Sequence, residues 1–408
     1  MNNNKKTLPE LLAPAGNMER LEAAVRFGAD AVYLGARSMS LRNYADNFTF
    51  DELSSACRLA HGRGSKVYVA VNAFARDRDI EPLPELICSL KAAGADALIV
   101  SDPGVIRTAR RASSLPLHLS TQANTLSTEA VLFWRDNGIK RVILARELSL
   151  DEIKRMRDKL PCDVELEMFI HGAMCVSYSG RCLLSNYLDG RDSSKGECVQ
   201  PCRWNYELRE KGKNGEWLPI EEDGRGTYIL NSRDMNLMPY LDNVLDTGVS
   251  SVKIEGRMKS VAYVATVVNA YRMALDALGR GEGVGAAVMA ELDKASHRPY
   301  TSGFALGAPG AEGQHTEWGG YITDEQISAV VESYDSADMT ATIVQRNRFF
   351  DGDTLNILSP GDIGRSFTVN GIVNEAGESV PFAPHPKERL IIGCTEPLLA
   401  GDILRKPV

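Results

Sequence analysis

The chain has no apolar run of the about 18 residues that a membrane-spanning helix needs. Its first residues, Met1-Asn2-Asn3-Asn4-Lys5-Lys6, lack the apolar stretch of a secretory signal, so the expected location is cytoplasmic. It also lacks a surplus of positive charge. Lys and Arg number 46 against 54 Asp and Glu, a net charge of −8, so the protein as a whole does not attract nucleic acid. An RNA partner would need a local patch. There is no HExxH, no GxSxG and no GxxxxGK[ST], which removes the common zinc-peptidase, serine-hydrolase and P-loop readings. Nor is there a CxxxCxxC, because Arg203-Trp204-Asn205 follows Cys202; radical S-adenosylmethionine chemistry is disfavoured. Gly281-Glu282-Gly283-Val284-Gly285 follows a helical pattern rather than a strand, so it reads as a connector and not as a dinucleotide loop.

What is present is a repeated unit. In the first 280 residues an amphipathic helix, a Gly stop and a short apolar strand recur. Gly28 precedes Ala31-Val32-Tyr33-Leu34, Gly94 precedes Ala97-Leu98-Ile99-Val100, Gly138 precedes Val142-Ile143-Leu144, and Gly248 precedes Ser251-Val252-Lys253-Ile254. Glycine just past a helix end accepts the left-handed backbone there. With Glu10–Ala13, Val67–Asn72, Leu117–Gln122 and Glu165–Phe169 the strands number eight, which closes a barrel. The expected fold is α/β: a (β/α)8 TIM-like barrel over 1–300 with a cysteine-rich insertion at 171–235. A Gly-rich linker at 301–320 and a small C-terminal antiparallel β-barrel at 321–408 follow. An open doubly wound sheet is the rival, and an extra strand at Tyr228–Asn231 would belong to the insertion. In the C-terminal part Ile327–Ser333, Met339–Gln345, Thr354–Leu358, Ser366–Val373 and Arg389–Gly393 read as strands between Asp-Gly, Pro-Gly and Gly-Asp turns.

Period-two alternation separates the two faces of each barrel strand. Val67, Val69 and Val71 face the helices, leaving Tyr68, Ala70 and Asn72 on the axis. His118, Ser120 and Gln122 face in on the fifth strand, Glu165, Glu167 and Phe169 on the seventh, and Lys253, Glu255 and Arg257 on the eighth. A barrel interior filled for packing alone would hold branched apolar residues. The candidate catalytic residues are therefore Glu167, His171, Lys253, Glu255 and Arg257, with Asn72 and Gln122 as candidate substrate contacts. The competing explanation is a buried salt-bridge layer pairing Lys253 with Glu255 or Arg257 with Glu167.

Of eight cysteines, four fall within 28 residues as Cys175-x6-Cys182-x15-Cys198-x3-Cys202. Cytosolic thiols stay reduced, so disulfides are not expected. Four thiolates can hold an iron–sulfur cluster or a tetrahedral zinc. Only Cys198 and Cys202 approach the CxxC knuckle of structural zinc, so the wide spacing favours the cluster, with zinc as the alternative. Arg181, Arg191 and Arg203 in the same region are candidate phosphate contacts, although acidic residues there match the basic ones in number.

At this segment a specific resemblance appears. Glu167-Met168-Phe169-Ile170-His171-Gly172-Ala173-Met174-Cys175-Val176-Ser177-Tyr178-Ser179-Gly180-Arg181-Cys182-Leu183-Leu184-Ser185 resembles the signature of the U-32 peptidase family, the collagenase-like proteases. Gly196-Glu197-Cys198-Val199-Gln200-Pro201-Cys202-Arg203-Trp204 continues it, as do Leu12-Ala13-Pro14-Ala15-Gly16 and Lys253-Ile254-Glu255-Gly256-Arg257-Met258-Lys259. The resemblance implies a 4Fe–4S cluster on Cys175, Cys182, Cys198 and Cys202. It implies oxygen-independent hydroxylation rather than proteolysis. One branch of the family makes 5-hydroxyuridine at the tRNA wobble position with prephenate as oxygen source; others act on a ribosomal-RNA cytidine or the ubiquinone ring. Length and the C-terminal module most resemble the tRNA branch. The implied partners are tRNA, a small anionic co-substrate of the prephenate kind, and a second family member or a second copy of this chain. Two alternatives stand beside it: a collagenase-like peptidase, and a non-catalytic iron–sulfur partner subunit of a hydroxylase.

Overall fold

The structure is a computed structural model. It describes residues 7–36, 48–175, 178, 184–189, 198–199, 201, 222–223, 226–227, 232–309, 313 and 321–408. By its contacts the chain divides into two units. One is Met1–Val25 with Ala29–Lys259 and Arg298–Tyr321; the other is Arg26–Gly28 with Ser260–His297 and Ile322–Val408.

The first unit is a closed parallel barrel. Its strands are β1 (Glu10–Pro14), β2 (Ala31–Gly35), β3 (Lys66–Val71), β4 (Ala97–Val100), β5 (Leu117–Leu119), β6 (Arg141–Ile143) and β7 (Glu165–Ala173). In the insertion come the short pair β8 (Glu222–Asp223) and β9 (Gly226–Thr227), then β10 (Asp234–Asn236). The ring closes through β11 (Ser251–Ile254), which pairs in parallel with both β1 and β7. All eight expected strands are present. The fifth ends early, at Leu119, because the chain turns into a 3-10 segment at Thr121–Ala123. The extra strand expected at Tyr228–Asn231 lies outside the described residues.

The helices between the strands start and stop where side chains dictate. Thr49 with Glu52 and Ser149 with Glu152 form reciprocal capping boxes, and Asp102 accepts from Gly104 N and Val105 N. The four expected stop glycines, Gly28, Gly94, Gly138 and Gly248, all have positive φ, between 73° and 100°.

The seventh strand overruns the barrel. Its last residues, His171 to Ala173, pair antiparallel with β10, so Ala173 faces Asp234 across the base of the cysteine-bearing insertion. β10 in turn pairs with β12 (Tyr300–Thr301). The insertion thus leaves from and returns to adjacent, hydrogen-bonded positions at the C-terminal end of the barrel, the end where barrel enzymes carry their chemistry.

The second unit is a seven-stranded antiparallel half-barrel sheet. Its strands are β13 (Glu325–Asp335), β14 (Thr340–Gln345), β15 (Thr354–Ser359), β16 (Asp362–Thr368), β17 (Asn370–Val373), β18 (Arg389–Gly393) and β19 (Ile403–Pro407), in the order β16-β15-β19-β13-β14-β18-β17. Two details depart from expectation. Ser366–Val373 is two strands, and the central β19 is additional. Its run Ile403-Leu404-Arg405-Lys406 reads as half charged, yet Arg405 is buried between Glu291 and Glu325, at 2.7 and 3.1 Å. The long helix Val261–Gly279 belongs to this unit. Its buried Asn269 accepts from Gly361 N at 2.8 Å and donates to Ser359 O and Asp362 O.

Candidate active site at the barrel mouth

The barrel axis is polar at two levels. At the N-terminal end Glu10, Arg141 and Glu165 each open their strand. The Arg141 guanidinium lies 2.6 Å from Glu10 Oε1, 2.7 Å from Glu165 Oε2 and 3.2 Å from Glu167 Oε2. Tyr68 Oη donates to Glu10 Oε2 at 2.7 Å, and the His118 ring meets the Tyr68 ring edge-on at 4.7 Å. Burial, with Arg141 and Lys253 adding to it, holds His118 well below the ordinary histidine range, so this ring is neutral. A buried ion layer therefore exists, but not with the expected partners. Glu167 takes Arg141 and Lys253, because β7 lies between β6 and β11 and each neighbouring strand carries one of the two cations.

Above this layer the mouth is built around Lys253. Its Nζ is 3.3 Å from Glu167 Oε1 and 4.1 Å from the centre of the Tyr33 ring. The residue is 4% exposed. Burial pushes its ammonium below the ordinary lysine value, and Glu167 and Glu255 resist that shift. Glu255 accepts from Tyr33 Oη at 3.3 Å and lies 3.8 Å from Arg146. Arg146 stacks 4.1 Å over the Phe169 ring and donates to Ala173 O at 3.0 Å. Asn72 donates to Gln122 Oε1 at 3.1 Å and to Ser120 Oγ at 3.3 Å, and Ser120 also bonds Gln122. Two cations flanked by two carboxylates at the C-terminal end of a barrel suit a small carboxylate ligand. The Lys253–Glu167 pair can also exchange a proton.

Two glycines allow the mouth its shape. A Cβ on Gly16 would lie 2.2 Å from Arg257 O, and one on Gly172 would lie 2.4 Å from Glu255 O, at a φ of +106°. The loop after β11 thus presses on β1 and β7 with no room for a methyl group. Gly172→Ala should destabilise the protein by at least about 1–3 kcal/mol and displace Glu255. A urea midpoint equal to wild type would refute this.

His171 sits elsewhere than expected. Between Phe169 and His171 the register with β11 shifts, so Ile254, and not Glu255 as an unbroken ladder would give, is the partner of His171. That bulge removes His171 from the face that Glu167 and Phe169 share, and its ring packs on Tyr300 at 5.5 Å. Arg257 is buried at the mouth, where its carbonyl accepts from Arg20 Nη1 at 3.4 Å.

At the base of the insertion Asp234 is buried and holds Arg298, with Nη2 at 2.6 Å, while Lys259 lies 3.9 Å away. Burial alone would raise its pKa, but Arg298 and Lys259 outweigh it and hold this carboxylate below the ordinary range. Of the four clustered cysteines, Cys175 and Cys198 are described; both are exposed and neither forms a disulfide. Cys182, Cys202, Arg181, Arg191 and Arg203 lie outside the described residues. By contrast Cys57 is buried, and burial followed by Asp96 pushes its thiol up to about 12.

Glu10, Arg141, Arg146 and Tyr33 escape a reading of the strands one at a time. The three charges follow or open an apolar run, where a charge looks like a cap, and Tyr33 lies within one, where a tyrosine looks like core. The usable signal is position: Arg146 comes just after a barrel strand, where site residues gather.

Comparison with known proteins agrees with this architecture. The profile of peptidase family U32 matches residues 16–315, and that of the peptidase family U32 C-terminal domain matches 323–405. The chain is 39% identical to tRNA hydroxylation protein P1 of Bacillus subtilis (strain 168), over 98% of this chain and 94% of that protein. It is 35% identical to tRNA hydroxylation protein P of Escherichia coli (strain K12), over 92% and 91%. It is 32% identical to a collagenase of Porphyromonas gingivalis (strain ATCC BAA-308 / W83), over 78% of each.

Proposed function

The chain belongs to peptidase family U32, and from that membership we propose that it hydroxylates tRNA without molecular oxygen, making 5-hydroxyuridine at the wobble position with a prephenate-like anion as oxygen donor. The observation that carries the reading is the buried Lys253 between Glu167 and Glu255 at the barrel mouth, directly beside the base of the cysteine insertion. Two relatives similar over more than nine-tenths of the chain are named for tRNA hydroxylation. Lys253 and Arg146 would receive the donor's carboxylates, and Glu167 would hold or release a proton through Lys253. Tyr33 and Phe169 would exclude water around the pair.

The same reading assigns a 4Fe–4S cluster to Cys175, Cys182, Cys198 and Cys202. The two described thiols suit it, being exposed and unbridged where the buried Cys57 is held protonated. When bound, such a cluster supplies electron transfer or a Lewis-acidic iron. Cys175→Ala and Cys198→Ala should each lower the iron bound by anaerobically purified protein, measured by metal analysis and absorption near 400 nm, as expected of thiolate-held clusters. Zinc in place of iron would turn the four cysteines into a structural site.

The test of the function is nucleoside analysis of tRNA from a strain lacking the gene. Wobble 5-hydroxyuridine should disappear and return with the wild-type gene; an unchanged level sinks the reading. The likeness to a collagenase keeps one alternative in view. Cleavage of denatured collagen that vanishes in His171→Ala would favour it.

A further inference from the structure

Two segments that flank the C-terminal sheet hold an aromatic pair, Phe350 and Phe382. Between β14 and β15, Phe349 is fully buried in the core of that unit, and the next residue, Phe350, has 45% of its surface exposed. Phe350 faces Phe382 across an antiparallel bridge, with ring centres 5.6 Å apart and planes tilted by 44°. The backbone on either side is tied down by Asp351 N to Pro381 O at 3.0 Å and Ala383 N to Phe349 O at 2.9 Å. The pair is therefore held in place before any ligand arrives.

Cations border both rings. The Arg348 guanidinium carbon is 5.6 Å from the centre of the Phe382 ring, and Lys406 Nζ is 5.6 Å from that of Phe350. Of the nearby acids Asp351 is turned to the backbone, whereas Asp353 also pairs with Lys406. Asp351 Oδ1 accepts from Gly371 N at 2.7 Å, and Asp353 Oδ2 accepts from Phe350 N at 2.8 Å and from Lys406 at 2.7 Å. An exposed ring beside a half-buried one, bordered by Arg and Lys, is the chemistry that holds unpaired nucleotides: bases stack on the rings and phosphates meet the cations. A chain of net charge −8 needs such a local patch to hold RNA at all.

We infer that Phe350 and Phe382, with Arg348 and Lys406, form a stacking platform for unpaired bases of the RNA substrate. The inference rests on the tRNA reading above and adds a binding surface to it, on the C-terminal unit. The base–ring contact sets affinity, the cations set its salt dependence, and neither takes part in the reaction.

The experiment uses the full-length protein, an unmodified tRNA transcript and a short oligouridine, with affinity measured by fluorescence anisotropy across a salt series. Phe350→Ala should weaken binding of both probes about tenfold, and Phe350→Trp should restore it, which a lost packing contact alone would not predict for the RNA. Arg348→Ala should make the salt slope shallower by about one. Thermal unfolding of each variant checks that the sheet is intact. If Phe350→Ala and Arg348→Ala bind both probes as wild type does while tRNA is still modified, the platform is wrong and the hydroxylation reading stands. If oligouridine binds through Phe350 but no tRNA is modified, the platform stands and the substrate reading fails. If wild type binds neither probe, the platform falls. If wild type self-associates and Phe350→Ala does not, the face is an interface between copies and the platform is likewise overturned.

Discussion

Lys253→Met should lower tRNA hydroxylation at least about 100-fold, the usual cost of removing one preorganised charged donor from an active site, while iron content stays at the wild-type level. Methionine keeps much of the volume, so the Tyr33 and Phe169 rings retain a neighbour and the change is mainly one of charge. Glu167 keeps Arg141 at 3.2 Å, so the fold retains a counter-ion for that carboxylate. Arg257→Ala should also abolish activity with iron retained. The pH profile gives an independent check. The ammonium of Lys253 is depressed by burial, so binding of an anion to it should fade as pH rises through a value below the about 10.4 of a free lysine. Full activity in both variants would place the chemistry away from the barrel mouth. Loss of iron in both would mean that the mouth and the cysteine insertion are one structural unit rather than two functional ones.

Arg141→Leu is expected to have the largest effect on stability, about 3–5 kcal/mol, the range for stranding buried charges by removing one partner. Arg141 is itself buried and serves three carboxylates, Glu10, Glu165 and Glu167. Burial alone would lower its pKa, and Glu167 and Glu10 more than reverse that, so the charge is locked in place. Without it Glu10 loses its 2.6 Å partner in a site where Tyr68 can still donate but supplies no charge. Urea unfolding of both proteins at neutral pH measures this. A midpoint within error of wild type at neutral pH would show that the ion layer is dispensable for the barrel.

Much of the barrel follows from local rules. A glycine after each helix and an apolar run after each glycine mark Ala31, Ala97, Val142 and Ser251 as strand residues, because a left-handed stop and a period-two pattern are short-range properties of the chain. The inward set was legible on the same footing. Lys253 and Glu167 alternate with apolar neighbours, and the structure brings them to 3.3 Å. The family signature marked the cysteines and the two glycines at the mouth, but not why those glycines are required. Gly16 and Gly172 are needed because the loop after β11 passes against both strands, a contact between segments far apart in the chain.

The tertiary structure decided the rest. His171 lies two residues past the strand expected at Glu165–Phe169, and one extra residue, Ile170, enters the pairing with β11, so alternation from Glu167 and Phe169 does not carry through to it. Arg141 reaches Glu10, and Tyr33 reaches Glu255, only because eight strands close into a ring and put residues 131 and 222 positions apart on one axis. Likewise Phe349 and Phe350 are adjacent in the chain, yet the first is fully buried and the second 45% exposed. The sequence by itself determined which segments are strands, which residues alternate inward and which family the cysteines belong to, since these depend on neighbours in the chain. Partner choice among the buried charges and the direction of each aromatic ring were decided by barrel closure and strand register, since these depend on neighbours in space.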